Sequence, residues 1–474
     1  MLLFLILLPI LGAAVAFLLS NGRPRKIVLA GTSFIHLIGV VSIWKFSPAA
    51  WFHGFLGMDV LGRLILTVVS ILFAAVSFYL WGYLKEEEER SNRVFVTSLL
   101  LFLSAMTLVT MARHMGLLWI AIEATTLFSA PLINFTRSPQ SVEAMWKYLL
   151  ICSVGIAMAL LGTLFLAVSA AGTGTVLLDV LLDHATLFSV PWLKLSVIFL
   201  FVGYGTKMGL APMHTWLPDA HSEAPSPVSA LLSGVLLNCA FLGILRVFQI
   251  CAAAGQTAFA QDLLLVMGLL SLAVASIFVI GQTDYKRMFA YSSVENMGIL
   301  AIGIGLGGVG LYGSLFHAVN NAFAKGMVFL VTGNLYRIYQ SKKVNDVKGL
   351  LAGHPVTGIF LAMGFLAVTG IPPFGTFYSE LMILNAAIRS GHFWVAFFYV
   401  LFLALIFIGI AGSVLKMLRG DTGEQAGGPQ AKKEDIGSII PILLLGLIVL
   451  MLGLYMPSFL DNALKGSSTL LGGG

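Results

Sequence analysis

The chain has 474 residues, of which 58% are hydrophobic and only 10% charged, whereas ordinary soluble proteins carry about 25% charged residues. So little charge cannot cover a soluble surface of this size, and a length-based count of soluble domains does not apply. The net charge of +6 comes without a basic stripe or interleaved aromatics, which argues against nucleic acid as a partner.

Apolar windows long enough to cross about 30 Å of hydrocarbon recur from end to end. They predict an all-α integral membrane protein of about fourteen transmembrane helices, forming a single membrane domain over 1–474. The first window, 2–20, is followed rather than preceded by Arg23, Arg25 and Lys26. That charge order is the reverse of a signal peptide and reads as a retained helix. With 27–44 and 60–84 it makes an N-terminal group within 1–93. Spans at 94–112, 115–135, 146–170, 193–217 and 226–250 fill 94–251. Spans at 262–282, 287–307, 311–335, 355–390 and 393–417 fill 262–417, and a last one covers 436–456. The run Glu86–Glu89 and the polar stretch Gly420–Asp435 read as solvated loops.

Basic residues crowd one set of alternate loops, among them Arg23, Arg90, Arg137, Lys286, Arg337 and Lys433. The other set holds only Lys45, Arg113, Lys194, Arg246, Arg389 and Lys465. The positive-inside rule then places the first set in the cytoplasm and both termini on the outer side of a plasma (inner) membrane.

Gly209–Trp216 reads GLAPMHTW and Gly370–Phe377 reads GIPPFGTF, 161 residues apart. Both interrupt an apolar span, at Pro212 in the seventh and at Pro372 and Pro373 in the twelfth. Proline removes a backbone hydrogen bond, and the helix opens beside glycine. Paired broken helices in two halves point to a transport site. Spans four to eight and nine to thirteen are then two five-helix repeats, and the odd number makes the second inverted.

An ionisable residue at the centre of a membrane helix costs about 2.5–3.5 kcal/mol and is a functional candidate by default. Glu123 lies mid-span in LLWIAIEATTLF, and Lys207 lies five residues before Pro212. A Glu–Lys pair that opens and closes would be a proton switch; a static pair that fixes helix packing is the plainer alternative. Glu295 lies in AYSSVENMGIL. His317, Asn321 and Lys325 follow at spacings of four, on one helix face. Histidine exchanges protons near neutral pH, and about 1.5 Å of rise per residue puts His317 and Lys325 roughly 12 Å apart in depth. Glu380 follows Pro373 by seven residues. Further candidates are Glu143 and Lys147 at the start of the sixth span, and His214 and His221 after the first break; charges at span ends are usually interfacial. Cys152, Cys239 and Cys251 lack ligand-like spacing, so no haem, iron–sulfur or zinc cofactor is expected. No nucleophile elbow or phosphate loop is present either, so the chain by itself is not expected to be a complete enzyme.

The segment KMGLAPMHTWLPDAHSEAPSPVSALLSG resembles the signature of the antiporter-like subunits of respiratory complex I, Mrp-type cation/proton antiporters and membrane-bound group 4 hydrogenases. DYKRMFAYSSVENMGI and GIPPFGTFYSELMIL match two further blocks of that family. WIAIEATTLFSAPLINF with WKYLLICSVGIAMALLGTL is most similar to the F subunit of hydrogenase-4-type complexes. The resemblance implies fourteen helices with two inverted repeats. It implies proton-path roles for Glu123, Lys207, His317, Lys325 and Glu380, and partners comprising other membrane subunits and a peripheral hydrogenase-like Fe–S redox module. Many relatives carry a lysine or histidine in the eighth helix, where this chain has Asn238; an amide cannot store a proton. A Mrp-type Na⁺(K⁺)/H⁺ antiporter subunit without a redox partner is the alternative function, and a stand-alone solute transporter a third. A reporter fused after Lys433 is expected in the cytoplasm and one at the C-terminus outside; reporters on the same side would refute the count of fourteen.

Overall fold

A computed structural model of the chain describes residues 1–20, 22–46, 48–84, 92–419 and 434–472. The expected spans become α1 (Leu2–Leu18), α2 (Gly22–Lys45), α3 (Val60–Tyr83), α4 (Asn92–Met111), α5 (Met115–Ile133) and α6 (Pro139–Ser169). A short α7 (Leu178–Asp183) precedes α8 (Val190–Met208) and α9 (Trp216–Glu223), the halves of the first broken span. α10 (Ser226–Leu231) runs through a π-helical turn at 232–236 into α11 (Leu237–Ala253). Next come α12 (Thr257–Val279), α13 (Tyr285–Leu306), α14 (Gly308–Tyr339) and the four-residue α15 (Leu350–Gly353). α16 (Pro355–Val368) and α17 (Gly375–Arg389) are the second broken span, followed by α18 (Phe393–Arg419), α19 (Ile436–Leu454) and α20 (Ser458–Leu470). Among the described residues extended pairing is limited to isolated bridges. The loop expected at Glu86–Glu89 and most of that at Gly420–Asp435 lie outside the described residues.

Among the described residues, eleven spans are long and apolar enough to cross a membrane. Three more fall short for physical reasons. α1 has 17 residues, α14 carries the polar residues of the candidate site, and the α16–α17 span is cut in two. Several boundaries shift by a few residues, and two differences have a clear local cause. α6 starts at Pro139 rather than near 146, because the Ser138 hydroxyl accepts from Ser141 N–H and proline fits the first turn. α20 was not foreseen; its Asp461 and Lys465 mask an apolar side that buries Ala463 and Leu464.

The α10–α11 span is wholly buried and α13 nearly so, so these helices and α14 form the axis of the bundle. α2 and α18 lie outside, with Phe34, Ile38, Trp394 and Ile408 exposed where lipid would meet them. Helix pairs near the axis approach through small residues. A Cβ on Gly203 would overlap Ala159 and the Gly155 carbonyl, and one on Gly298 would overlap Gly268. Such seams are the usual way membrane helices pack.

Contacts sort the loops into two ends. At one end Asp59, just before α3, pairs with Arg113 (2.9 Å) and Arg246, and Arg113 also pairs with Asp179. At the other end Asp219 pairs with Lys147 (3.1 Å) and Arg287, and Glu223 with Lys342 (2.9 Å). α8 therefore enters from the first end and α16 from the second, so the two broken spans run in opposite senses.

Burial by itself would raise the Asp59 carboxyl, but the charge and hydrogen bond of Arg246, the Gly62 N–H and Arg113 outweigh it and hold the group well below the carboxylate range. A depressed folded value means stability that is present above the unfolded aspartate value of about 3.9 and is lost as pH falls toward the folded one. Asp59→Ala leaves Arg246 buried and unpaired, so a loss of about 3–5 kcal/mol is expected. Thermal unfolding in lipid checks this, and in the variant the acid-side loss should shrink.

Candidate functional site

The first break is built around Gly209, whose φ of +82° ends α8 in the left-handed region that glycine tolerates. The freed backbone groups find partners: Trp216 Nε1 donates to the Thr206 carbonyl (2.8 Å), and Ala211 N–H donates to Ser271 Oγ (2.9 Å). Lys207, fully buried two residues before the glycine, donates to Thr126 Oγ1 (2.8 Å) and Tyr148 Oη (2.5 Å). Its ammonium also lies 4.5 Å from the Tyr148 ring centroid. The Tyr148 hydroxyl, which accepts from Lys207, also shares a hydrogen bond with Ser129 Oγ (2.6 Å) in which either oxygen can donate.

The expected direct Glu123–Lys207 pair is not made. α5 turns Glu123 toward α6, where Ser153 donates to Oε1 (3.1 Å), and Oε2 has no partner. Thr126, one turn further along, is the residue that meets the lysine. Each of the two side chains is thus bonded to hydroxyls and not to the other.

The second break repeats the glycine device at Gly370, φ +62°. The Thr376 hydroxyl donates across it to the Ala367 carbonyl (2.6 Å) and ties α17 to α16. Glu380 turns back onto the break, where its carboxylate packs against the bare Cα of Gly370. On α14, His317 Nε2 meets Asn296 Oδ1 at 2.8 Å and Nδ1 meets Ser379 Oγ at 2.9 Å. Two turns along, Lys325 donates to the Phe289 carbonyl (3.1 Å) and to Ser292 Oγ of α13. Glu295 is buried with Oε2 unpartnered, and both amide atoms of Asn321 are likewise unpartnered.

Between these two clusters stand His221 and Asn238. His221 is fully buried, with Nδ1 on the Leu217 carbonyl (2.9 Å) and Nε2 free. Its ring lies 6.3 Å from Trp216 on one side and 5.6 Å from Phe329 on the other. Asn238 donates to the Gly234 carbonyl (3.0 Å) and, across to α14, the Ala318 carbonyl (3.3 Å); only its Oδ1 is left open. His214 is buried beside the first break with Nδ1 unpartnered. Glu143 and Lys147 belong to the loop end instead: they pair with each other at 2.6 Å, both largely exposed, and Lys147 also reaches Asp219.

Sequence reasoning missed the neutral members of the site: Thr126, Tyr148, Ser292, Asn296 and Ser379. They carry no charge to stand out in an apolar helix, so only the tertiary arrangement reveals them. It also underrated His221, whose place next to the first break was the available signal. Buried carboxylate, amide and imidazole atoms without partners recur in the bundle, at Glu123 Oε2, His221 Nε2, Asn238 Oδ1 and Glu295 Oε2. Buried polar atoms normally have a partner in the protein or in ordered water, so these atoms are suited to hold water.

The arrangement is that of a membrane ion-translocating subunit. Residues 112–407 match the family described as NADH:quinone oxidoreductase/Mrp antiporter, TM. A hydrogenase-4 component F homolog from Methylacidiphilum infernorum is 33% identical, with 98% of each chain covered. An NADH-quinone oxidoreductase subunit N from Desulforudis audaxviator is 28% identical with 97% of each covered. A Na(+)/H(+) antiporter subunit A1 from Staphylococcus haemolyticus is 28% identical over 88% of this chain, which spans about half of that protein (54%). Among solved structures, a chain of the archaeal membrane-bound sulfane sulfur reductase complex has a similar fold, with TM-score 0.89, 21% identity and coverage of 99% and 97%. A chain of the Mrp complex from Dietzia sp. gives 0.86, 18%, 99% and 96%. The chain belongs to the NADH:quinone oxidoreductase/Mrp antiporter transmembrane family, and is an antiporter-like, proton-translocating membrane subunit.

Gly370→Ala should push the Glu380 carboxylate off the break, because an added Cβ would overlap it, and should strain the positive φ. Proton flux in vesicles should fall while yield stays near normal; unchanged flux would remove Glu380's seat at Gly370 from the path.

Proposed function

We propose that this chain carries protons for a membrane-bound redox complex with a group 4 [NiFe]-hydrogenase-type partner module. The observation that carries the reading is the set of buried ionisable residues at and between the two breaks, Lys207, His221, Glu295, His317, Lys325 and Glu380, with unpartnered polar atoms among them. In this reading Glu123 and Lys207 form the first station. Lys325, Glu295 and His317 form the second, and Glu380 serves the second break. His221 and water held at Asn238 Oδ1 join the two. Redox chemistry stays in the partner and reaches this subunit as charge rearrangement; moving one charge against 100 mV takes about 2.3 kcal/mol. The hydrogenase-type partner is supported by the component F homolog, similar over nearly its whole length. The basic-rich end, with Arg287, Arg337 and Lys342, faces the cytoplasm.

A Mrp-type antiporter subunit is the second reading, favoured by the likeness to the Na(+)/H(+) antiporter subunit A1. Mass spectrometry of the purified complex separates them: hydrogenase-like and iron–sulfur subunits support the first, small Mrp-type membrane subunits the second. Within either complex Lys207→Ala should leave assembly intact and abolish proton movement, since it removes the buried cation held by Thr126 and Tyr148. Normal flux with normal yield would exclude Lys207 from the path.

A further inference from the structure

The hydrogen bonds around His317 fix which of its nitrogens can exchange a proton. Asn296 Nδ2 donates to the Ser292 carbonyl. A carbonyl only accepts, so the amide nitrogen must face Ser292 and the amide oxygen must face the imidazole. That oxygen lies 2.8 Å from His317 Nε2, so Nε2 keeps its hydrogen whatever the charge of the ring. On the opposite side, Ser379 Oγ lies 2.9 Å from Nδ1 and 2.7 Å from the Thr376 carbonyl. Its one hydrogen can serve only one of these. With Nδ1 protonated, the hydroxyl accepts from the ring and donates to Thr376. With Nδ1 bare, the hydroxyl turns and donates to the ring. The turn is cheap, because the Thr376 carbonyl lies in α17 and still accepts from the helix ladder.

We infer that His317 takes up and releases its proton only at Nδ1, through the Ser379 hydroxyl, while Asn296 locks Nε2–H. Ser379 is then a positioning and relay residue on the side of the α16–α17 break, and the inference rests on His317 belonging to the proton path. In the uptake step a protonated water at the break gives a hydrogen to Ser379 Oγ, and the hydroxyl's own hydrogen passes to Nδ1. One O–H bond breaks on the water and one on the serine, one O–H bond forms on the serine and one N–H bond on the ring, and the positive charge moves from the water to the imidazole with no change of oxidation state. Release runs the same exchanges in reverse.

The charged groups around the ring leave both its nitrogens to these neutral partners. Lys325, on the same helix, is bonded to Phe289 and Ser292. Glu295 of α13 and Glu380 of α17 make no hydrogen bond to the ring. α10, α16 and α19 bring no ionisable side chain to α14. α3 brings Tyr79, bonded at Asn334, and α20 brings Asp461, bonded to Tyr312. His221 stands beyond, against Phe329.

The test uses the intact complex in lipid vesicles, with isotope-labelled histidine read by solid-state NMR and His317→Gln as the difference reference. The neutral ring is expected as the Nε2–H tautomer, with Nδ1 gaining and losing its proton as pH changes. Ser379→Ala should slow proton flux about tenfold, the worth of one charge-assisted hydrogen bond, and Ser379→Thr should restore most of it. A neutral ring carrying its hydrogen on Nδ1 would overturn the assignment. So would Ser379→Ala at the wild-type rate, or Ser379→Thr no better than Ser379→Ala. The spectrum is read independently of transport. Wild-type flux in His317→Gln would strike at the path itself, whereas normal dependence on His317 with the wrong tautomer strikes only at the relay.

Discussion

Water does not hydrate the middle of a bilayer freely, so a polar group there must find its partner in the protein or bring water with it. The interior of this bundle follows that constraint in an uneven way. The buried cations are provided for: Lys207 holds two hydroxyls, and Lys325 holds a hydroxyl and a carbonyl. Among what remains open are the acceptors Glu123 Oε2, Glu295 Oε2, Asn238 Oδ1 and Asn320 Oδ1. A direct ion pair would fix both partners. Glu123 and Lys207 are not fixed in this way, since each is bonded to neutral hydroxyls instead.

The two helix breaks are held within a stiff frame. At one end Asp59 joins the segment before α3 to Arg113 after α4 and to Arg246 of α11. At the other Asp219 joins α9 to α6 and α13. Tyr79 of α3 donates to Asn334 of α14 (2.9 Å), and Gly453 lets α19 lie directly on the backbone of the second break. Rigid surroundings matter because hydrogen-bond relays depend on donor and acceptor separations of a few tenths of an ångström. The parts left adjustable are small ones, namely hydroxyl rotors at Tyr148, Ser292 and Ser379.

The two halves are not chemically alike. The first places its lysine against an aromatic hydroxyl with α6 as the partner helix. The second places its lysine against α13 and adds a histidine clamped between an amide and a serine. The Asn238 amide nitrogen gives one hydrogen to Gly234 in its own span and one to Ala318 of α14 and can orient a donor at Oδ1, but it cannot carry charge there. His221 lies between Trp216 of the first break and Phe329 of α14.

The sequence by itself determined the class, the spans and the charged skeleton. Long apolar windows have few structural solutions in a membrane, so the helices fall close to where hydropathy puts them. A charge inside such a window is costly enough to announce itself. The matched GLAPMHTW and GIPPFGTF motifs marked both breaks for the same reason: proline and glycine act locally on the backbone. The structure alone decided which side chains touch. It parted Glu123 from Lys207, moved Glu143 and Lys147 to the loop end, and placed α20 where no apolar run foretold a helix. It also recruited Tyr148, Asn296 and Ser379, because neutral hydroxyls and amides cost little in a helix and leave no trace in hydropathy. Their contacts are with neighbours 19 to 62 positions away in the chain, distances that only packing closes.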